Sequence, residues 1–204
     1  MGSSHASRFR VHLEQLSKKF KFDLKVIAKP GAVYNQLVFP DPSELCESDI
    51  LILLPFGNNL FEKKSFRIEN SRKGRIIHIS DYKPTPESEI KRLFINLQQK
   101  LKKYTCRVFI LDSFFKYVNC CEQHVAAFPL TLKHQRKCNR LLKEHFATLS
   151  ERYTVLNHIK LFDKPRTAKC CVSYYKERMV DSVHFTSDTY KIMAAELIKT
   201  VIDK

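Results

Sequence analysis

The chain alternates short apolar runs with longer segments whose apolar residues recur every three or four positions. Asp23 to Ala28, Asp49 to Phe56, Arg107 to Asp112 and Thr154 to Phe162 are runs of the first kind and read as strands. Asp49 to Phe56 (DILILLPF) is the most apolar, as expected of a strand covered on both faces in a parallel sheet. The helical segments carry four apolar stripes. Phe9, Leu13, Leu16 and Phe20 form the first, and Ile90, Leu93, Phe94, Leu97, Leu101 and Tyr104 form the second, behind Pro86. Leu132, Leu141, Leu142, Phe146 and Leu149 form the third. The last helix, Asp188 to Ile202, is expected to turn Ile192, Ala195, Leu197, Ile198, Val201 and Ile202 inward, with Thr186 or Ser187 as its cap. Strands alternating with helices predict an α/β fold, a three-layer α/β/α sandwich around a mostly parallel sheet.

The connections are read more coarsely. Val33 to Val38 suits a short helix, Lys63 to Asp81 a long connection with at most a small hairpin, and Asp163 to Met179 a loop. No repeat, low-complexity tract or linker divides the chain, so residues 1–204 are expected to form one domain.

Only four glycines occur, and neither GxGxxG nor GxxxxGK[ST] is present, which argues against a glycine-rich phosphate cradle. Gly2, Gly31 and Gly57 each fall at a strand end. Ligands of open parallel sheets sit at the carboxyl ends of the strands, where the turns at Gly31, Gly57 and Asp181 are expected. Seven cysteines without regular spacing do not form a disulfide framework. Cys120-Cys121 with His124, and Cys170-Cys171, lack the spacing of a zinc site, so neither metal nor cofactor is expected. A net charge of +15 suits contact with nucleic acid, an anionic membrane surface or an acidic partner, against the plainer reading of a generally basic surface. Polar residues follow Met1 where a signal peptide would be basic and then apolar, and the longest apolar run, Ile50 to Phe56, is too short to span a membrane. The expectation is an intracellular, cytoplasmic chain without a transmembrane segment.

The two ends carry the chemistry. Gly2-Ser3-Ser4-His5 opens the chain, and Asp181-Ser182-Val183-His184-Phe185-Thr186 precedes the last helix. A serine at a strand-to-helix turn with an Asp-x-x-His supplies a nucleophile, an orienting carboxylate and a base. The plainer alternatives are a helix cap for Ser4, a loop histidine for His184 and a turn-stabilising Asn59.

Four blocks in order resemble the SGNH (GDSL-type) hydrolases: Gly2-Ser3-Ser4-His5, Pro30-Gly31-Ala32, Gly57-Asn58-Asn59 and Asp181-Ser182-Val183-His184. The resemblance implies a flavodoxin-like sandwich and a serine esterase that hydrolyses carboxylic (acyl or acetyl) esters through an acyl-enzyme. It makes Ser4, His184 and Asp181 a triad. The backbone N–H groups of Ser4 and Gly31 and the side-chain amide of Asn59 become an oxyanion hole, with a small ester as substrate. Ser3 stands where the family has Asp, Leu60 follows Asn59 where the family often has Asp, and only Met1 precedes the turn that the family's first strand should lead into. Either the sequence lacks its true N-terminus, or the protein is a degenerate, inactive member. The latter opens the alternative of an SGNH-like module that binds nucleic acid or another anionic partner through its basic surface. Esterase domains of this type also occur in proteins of non-LTR retrotransposons.

Overall fold

The computed structural model of the chain describes residues 1–61, 66–71, 74–79, 83–114, 127–157, 178, 180 and 184–203. In chain order its elements are α1 (Ser4–Phe20), β1 (Ile50–Leu53), β2 (Phe66–Ser71), β3 (Gly74–Ile79), α2 (Glu87–Leu101), β4 (Arg107–Leu111), α3 (Ala127–Ala147), β5 (Tyr153–Leu156) and α4 (Ser187–Ile202). Two single 3-10 turns, Tyr34–Gln36 and Pro42–Glu44, lie between α1 and β1.

The central sheet has the order β1-β4-β5 with every pair parallel, Ile50 facing Arg107 and Val108 facing Tyr153. Alternate side chains enter opposite layers. Leu51, Leu53, Val108 and Ile110 pack with Leu93, Phe94 and Leu97 of α2 and with Leu142 and Phe146 of α3. Phe109 and Leu111 point the other way, onto Phe9 and Leu13 of α1 and Met193, Leu197 and Val201 of α4, with half-buried Ile50 and Ile52 beside them. The result is an α/β/α sandwich, with α1 and α4 on one face and α2 and α3 on the other. Fully burying each large apolar side chain contributes roughly 1.5–3 kcal/mol, so these two layers dominate the stability of the fold.

The chain enters the sheet at one residue. Gly2 forms parallel bridges to Ala28 on one side and Leu54 on the other. Its N–H donates to Ile27 O (3.0 Å) and its carbonyl accepts from Lys29 N (3.0 Å), while Leu54 N donates to Met1 O (2.8 Å). An added Cβ at Gly2 would stand 2.9 Å from Leu54 Cβ and 3.0 Å from Leu54 O, so glycine is what lets three backbones meet here.

Three local expectations need correction. Asp23 to Ala28 forms no strand; only Ala28 bridges, because a ladder needs a neighbour and Gly2 supplies a single residue of one. Val33 to Val38 shortens to the 3-10 turn Tyr34–Gln36, with extended backbone at Val33 and Leu37 on either side. In α4 the inward stripe is Tyr190, Met193, Ala194, Leu197, Ile198 and Val201, whereas Ala195 is exposed, as are Ile192 (55%) and Ile202 (59%). One position along a helix is a rotation of about 100°, and Tyr190 with Met193 sets the phase. The connection after β1 does contain a hairpin, β2 paired antiparallel to β3 from Phe66 opposite Ile79 to Ser71 opposite Gly74. The expected loop at 163–179 lies outside the described residues, as does the expected strand beyond Asn157, except that Arg178 is described.

Candidate active site

Parallel pairing puts the residues that follow Gly2, Ala28 and Leu54 at one end of the sheet. Ser4 leaves Gly2 as the first residue of α1, with Ser3 at the cap position. Its backbone N–H is therefore one of the donors that a helix start leaves over, and its side chain sits in the positive end of the helix dipole. The hydroxyl does not cap the helix. Ser4 Oγ lies 2.9 Å from Nε2 of His184, 180 positions away in sequence.

His184 is fixed by its own backbone and by the helix that follows. Its carbonyl accepts from Val180 N (2.9 Å), and Thr186 N donates to Arg178 O (2.7 Å). Thr186 caps α4, its hydroxyl accepting from Thr189 N at 3.3 Å. Phe185 is fully buried against Phe114 and Tyr190, which leaves its neighbour His184 facing Ser4. Asp181 lies outside the described residues, as do Cys120, Cys121, Cys170 and Cys171.

The two middle blocks meet each other. Asn58 Nδ2 donates to Ala32 O (3.0 Å), and Tyr34 N donates to Asn59 Oδ1 (2.8 Å). Asn59 N closes the turn onto Phe56 O, and Thr85 Oγ1 donates to Asn59 O (2.6 Å). With Oδ1 engaged, the amide of Asn59 has Nδ2 left as a donor. Gly31 holds a left-handed φ of 74°, which a residue with a Cβ adopts only with strain, and its Cβ position faces open space. Among the described residues, the N–H groups of Ser4 and Gly31 and Asn59 Nδ2 make no hydrogen bond. Each belongs to a turn at the carboxyl end of the sheet.

Two further residues join this cluster that their spacing alone did not single out. His5 is buried, with Nδ1 2.6 Å from the hydroxyl of Tyr190. Its ring stands edge-on to Phe114 (4.5 Å between centroids) and 5.4 Å from that of His184. The available signal was adjacency: His5 follows Ser4, and Tyr190 is in the first turn of α4.

Among the described residues there is no group of three or more His, Cys, Asp or Glu side chains that could hold a metal ion. No helix among them is long and apolar enough to cross a membrane. Cys106 and Cys138 are buried free thiols, and burial pushes the Cys138 thiol up to about 11.

No protein-family model matches the chain, and no curated protein sequence matches it significantly. Among solved structures it is similar to one described as "a putative platelet activating factor from Streptococcus pneumonia". The two share 13% identity with a TM-score of 0.61, over 98% of this chain and 81% of that one. Similarity at that identity establishes a shared α/β architecture.

Proposed function

We propose that the chain is an SGNH-type serine hydrolase that cleaves small carboxylic esters. The observation that carries this reading is the 2.9 Å contact between Ser4 Oγ and His184 Nε2. Hydrogen-bond reach between hydroxyl and imidazole is what a nucleophile and its base require. The solved structure described as "a putative platelet activating factor" shares the architecture and adds support at the level of the fold.

In this mechanism His184 carries its proton on Nδ1, so that Nε2 accepts the proton of Ser4 as Oγ attacks the ester carbonyl. The carbonyl π bond opens to an oxyanion, and Ser4 N–H, Gly31 N–H and Asn59 Nδ2 are the donors assigned to it. Collapse expels the alcohol, which takes the proton from His184 and leaves an acyl group on Ser4. Water then attacks that ester, His184 again taking and returning the proton, and the acid departs. Asp181, three positions before His184, is assigned to hold the Nδ1 proton.

The test is direct. The purified protein should hydrolyse short acyl esters, and an organophosphonate should label Ser4 and no other serine. Absence of both turnover and labelling would sink the reading.

One observation favours a second reading, a binding module for a polyanion such as RNA or DNA. The exposed face of α3 is built from Lys133, Arg136, Lys137, Arg140 and Lys143, with Glu144 as its one exposed acid among positions 132–147. Binding to a nucleic acid that weakens steeply with salt and survives Ser4→Ala would support it. Binding that is absent, or insensitive to salt, would exclude it.

A further inference from the structure

The first turn of α1 has no side-chain cap, although Gly2 fixes the chain to the sheet just before it. Ser3 stands at the cap position, yet its side chain makes no capping hydrogen bond. Helix termini fray unless something outside the helix holds them. The sheet bonds of Gly2 place the entry to α1, and contacts between α1 and α4 hold the turn that carries Ser4 toward His184.

Among the contacts between the two helix starts, the second beside Ser4–His184 is made by His5. Nδ1 of His5 lies 2.6 Å from the Tyr190 hydroxyl, in a setting where Tyr190 is 2% exposed and His5 is 6% exposed. A hydrogen bond in so dry a place is stronger electrostatically and geometrically more demanding than one in water. Tyr190 is itself clamped edge-on by Phe9 of α1 (5.1 Å) and by Phe185 (5.8 Å). His5 and Ser4 are adjacent in the first turn of α1, while His184 and Tyr190 flank the start of α4. The two pairs, Ser4–His184 and His5–Tyr190, thus tie the same two helix starts together at two points.

The geometry points to His5 and Tyr190 as positioning residues that hold the α1 and α4 starts in register and so set the distance between Ser4 and His184. Neither touches the reacting atoms in this role. The inference rests on the hydrolase reading for its effect on rate, and on the structure alone for its effect on the Ser4–His184 contact. A misplacement of about 1 Å at a reacting pair costs on the order of 10²-fold in rate.

Tyr190→Phe removes one oxygen and keeps the ring, so it retains the aromatic packing. His5→Leu removes the ring nitrogens, and His5→Asn restores a hydrogen-bonding group near the position of Nδ1. The measurement pairs side-chain NMR of ¹⁵N-labelled histidine with the rate at which an organophosphonate labels Ser4. Tyr190→Phe and His5→Leu should each shift the Nε2 resonance of His184 as its contact with Ser4 loosens. Each should also slow labelling about 10–100-fold, with kcat falling at nearly unchanged KM. His5→Asn should recover part of both, and Tyr190→Phe combined with His5→Leu should be no worse than the weaker single variant. Unchanged His184 resonances in Tyr190→Phe overturn the inference, whatever happens to thermal stability. If the parent protein is never labelled, the hydrolase reading fails, while the His184 resonances still decide this one.

Discussion

The hydroxyl of Ser4 and Nε2 of His184 stand 2.9 Å apart although 180 positions separate them, so the fold brings the two residues within hydrogen-bond reach. Groups that act as a unit fail as a unit. Under the proposed mechanism, Ser4→Ala and His184→Ala should each lower kcat by on the order of 10⁴–10⁶-fold, and the double variant should be no slower than either. Ester turnover and circular dichroism on the three proteins check this. Losses that multiply would mean the two side chains act independently.

Asn59 offers a way to separate support from chemistry, because its two amide atoms have different tasks. Oδ1 accepts from Tyr34 N (2.8 Å), and Nδ2 is the donor assigned to the oxyanion. Asn59→Ala removes both. It should cost about 2.7–4 kcal/mol of transition-state stabilisation and also leave a backbone donor unpaired. Asn59→Asp keeps the acceptor, so it should hold Tm near the parent value while losing at least as much kcat, since a carboxylate repels an oxyanion. Steady-state kinetics with thermal melts on both variants check the split.

How far these features were legible in the sequence depended on the range of the interaction that fixes them. The α2 stripe from Ile90 to Leu101 was readable because helical period and burial coincide, and every one of its expected residues is buried. The α4 stripe was read correctly at Leu197, Ile198 and Val201 but not at Ile192, Ala195 and Ile202, because apolar residues occur on several of its faces. Tertiary contact through Tyr190 and Met193 chose between them, leaving Ile192 and Ile202 in solvent. Asp23 to Ala28 has strand-like residues, but pairing is a property of the neighbour, and among the described residues the segment is bridged at Ala28 alone, by Gly2. The Ser4 and His184 blocks could be singled out by motif spacing. His5 and Tyr190 could not, because a histidine in a first turn and a tyrosine in a core stripe each have an ordinary structural use.

Gly2 should be intolerant of even one methyl group. A Cβ there meets Leu54 Cβ at 2.9 Å, the Leu54 carbonyl at 3.0 Å and Ala6 Cβ at 3.2 Å, and a backbone carbonyl cannot rotate away as a side chain can. Overpacking of this kind typically costs about 1–3 kcal/mol. At roughly 2–4 °C per kcal/mol for a chain of this size, Gly2→Ala should lower Tm by several degrees. Because Gly2 leads directly into Ser4, the same variant should slow Ser4 labelling more than its loss of Tm explains. Differential scanning calorimetry and labelling kinetics, both run well below the melting range, test the pairing of effects.

Acid sensitivity should trace in part to two histidines on α3. His134 lies beside Phe61 and 3.0 Å from the Leu60 carbonyl, and burial lowers its pKa from the usual 6.5, with the charge of Lys137 adding to the effect. His145, 3.1 Å from Gln98 Oε1, is lowered by burial as well. For a base held below its unfolded value, the unfolded chain takes up protons first as the pH falls. Their contribution to stability is therefore complete above about pH 6.5 and is lost progressively as pH drops through 6.5 toward the folded values. Urea midpoints measured from pH 7.5 down to 5 should fall in the parent protein. His134→Gln keeps an amide donor for Leu60 O but has no proton to gain, so its midpoints should fall less steeply. A parallel pH dependence in the two proteins would remove His134 from the account.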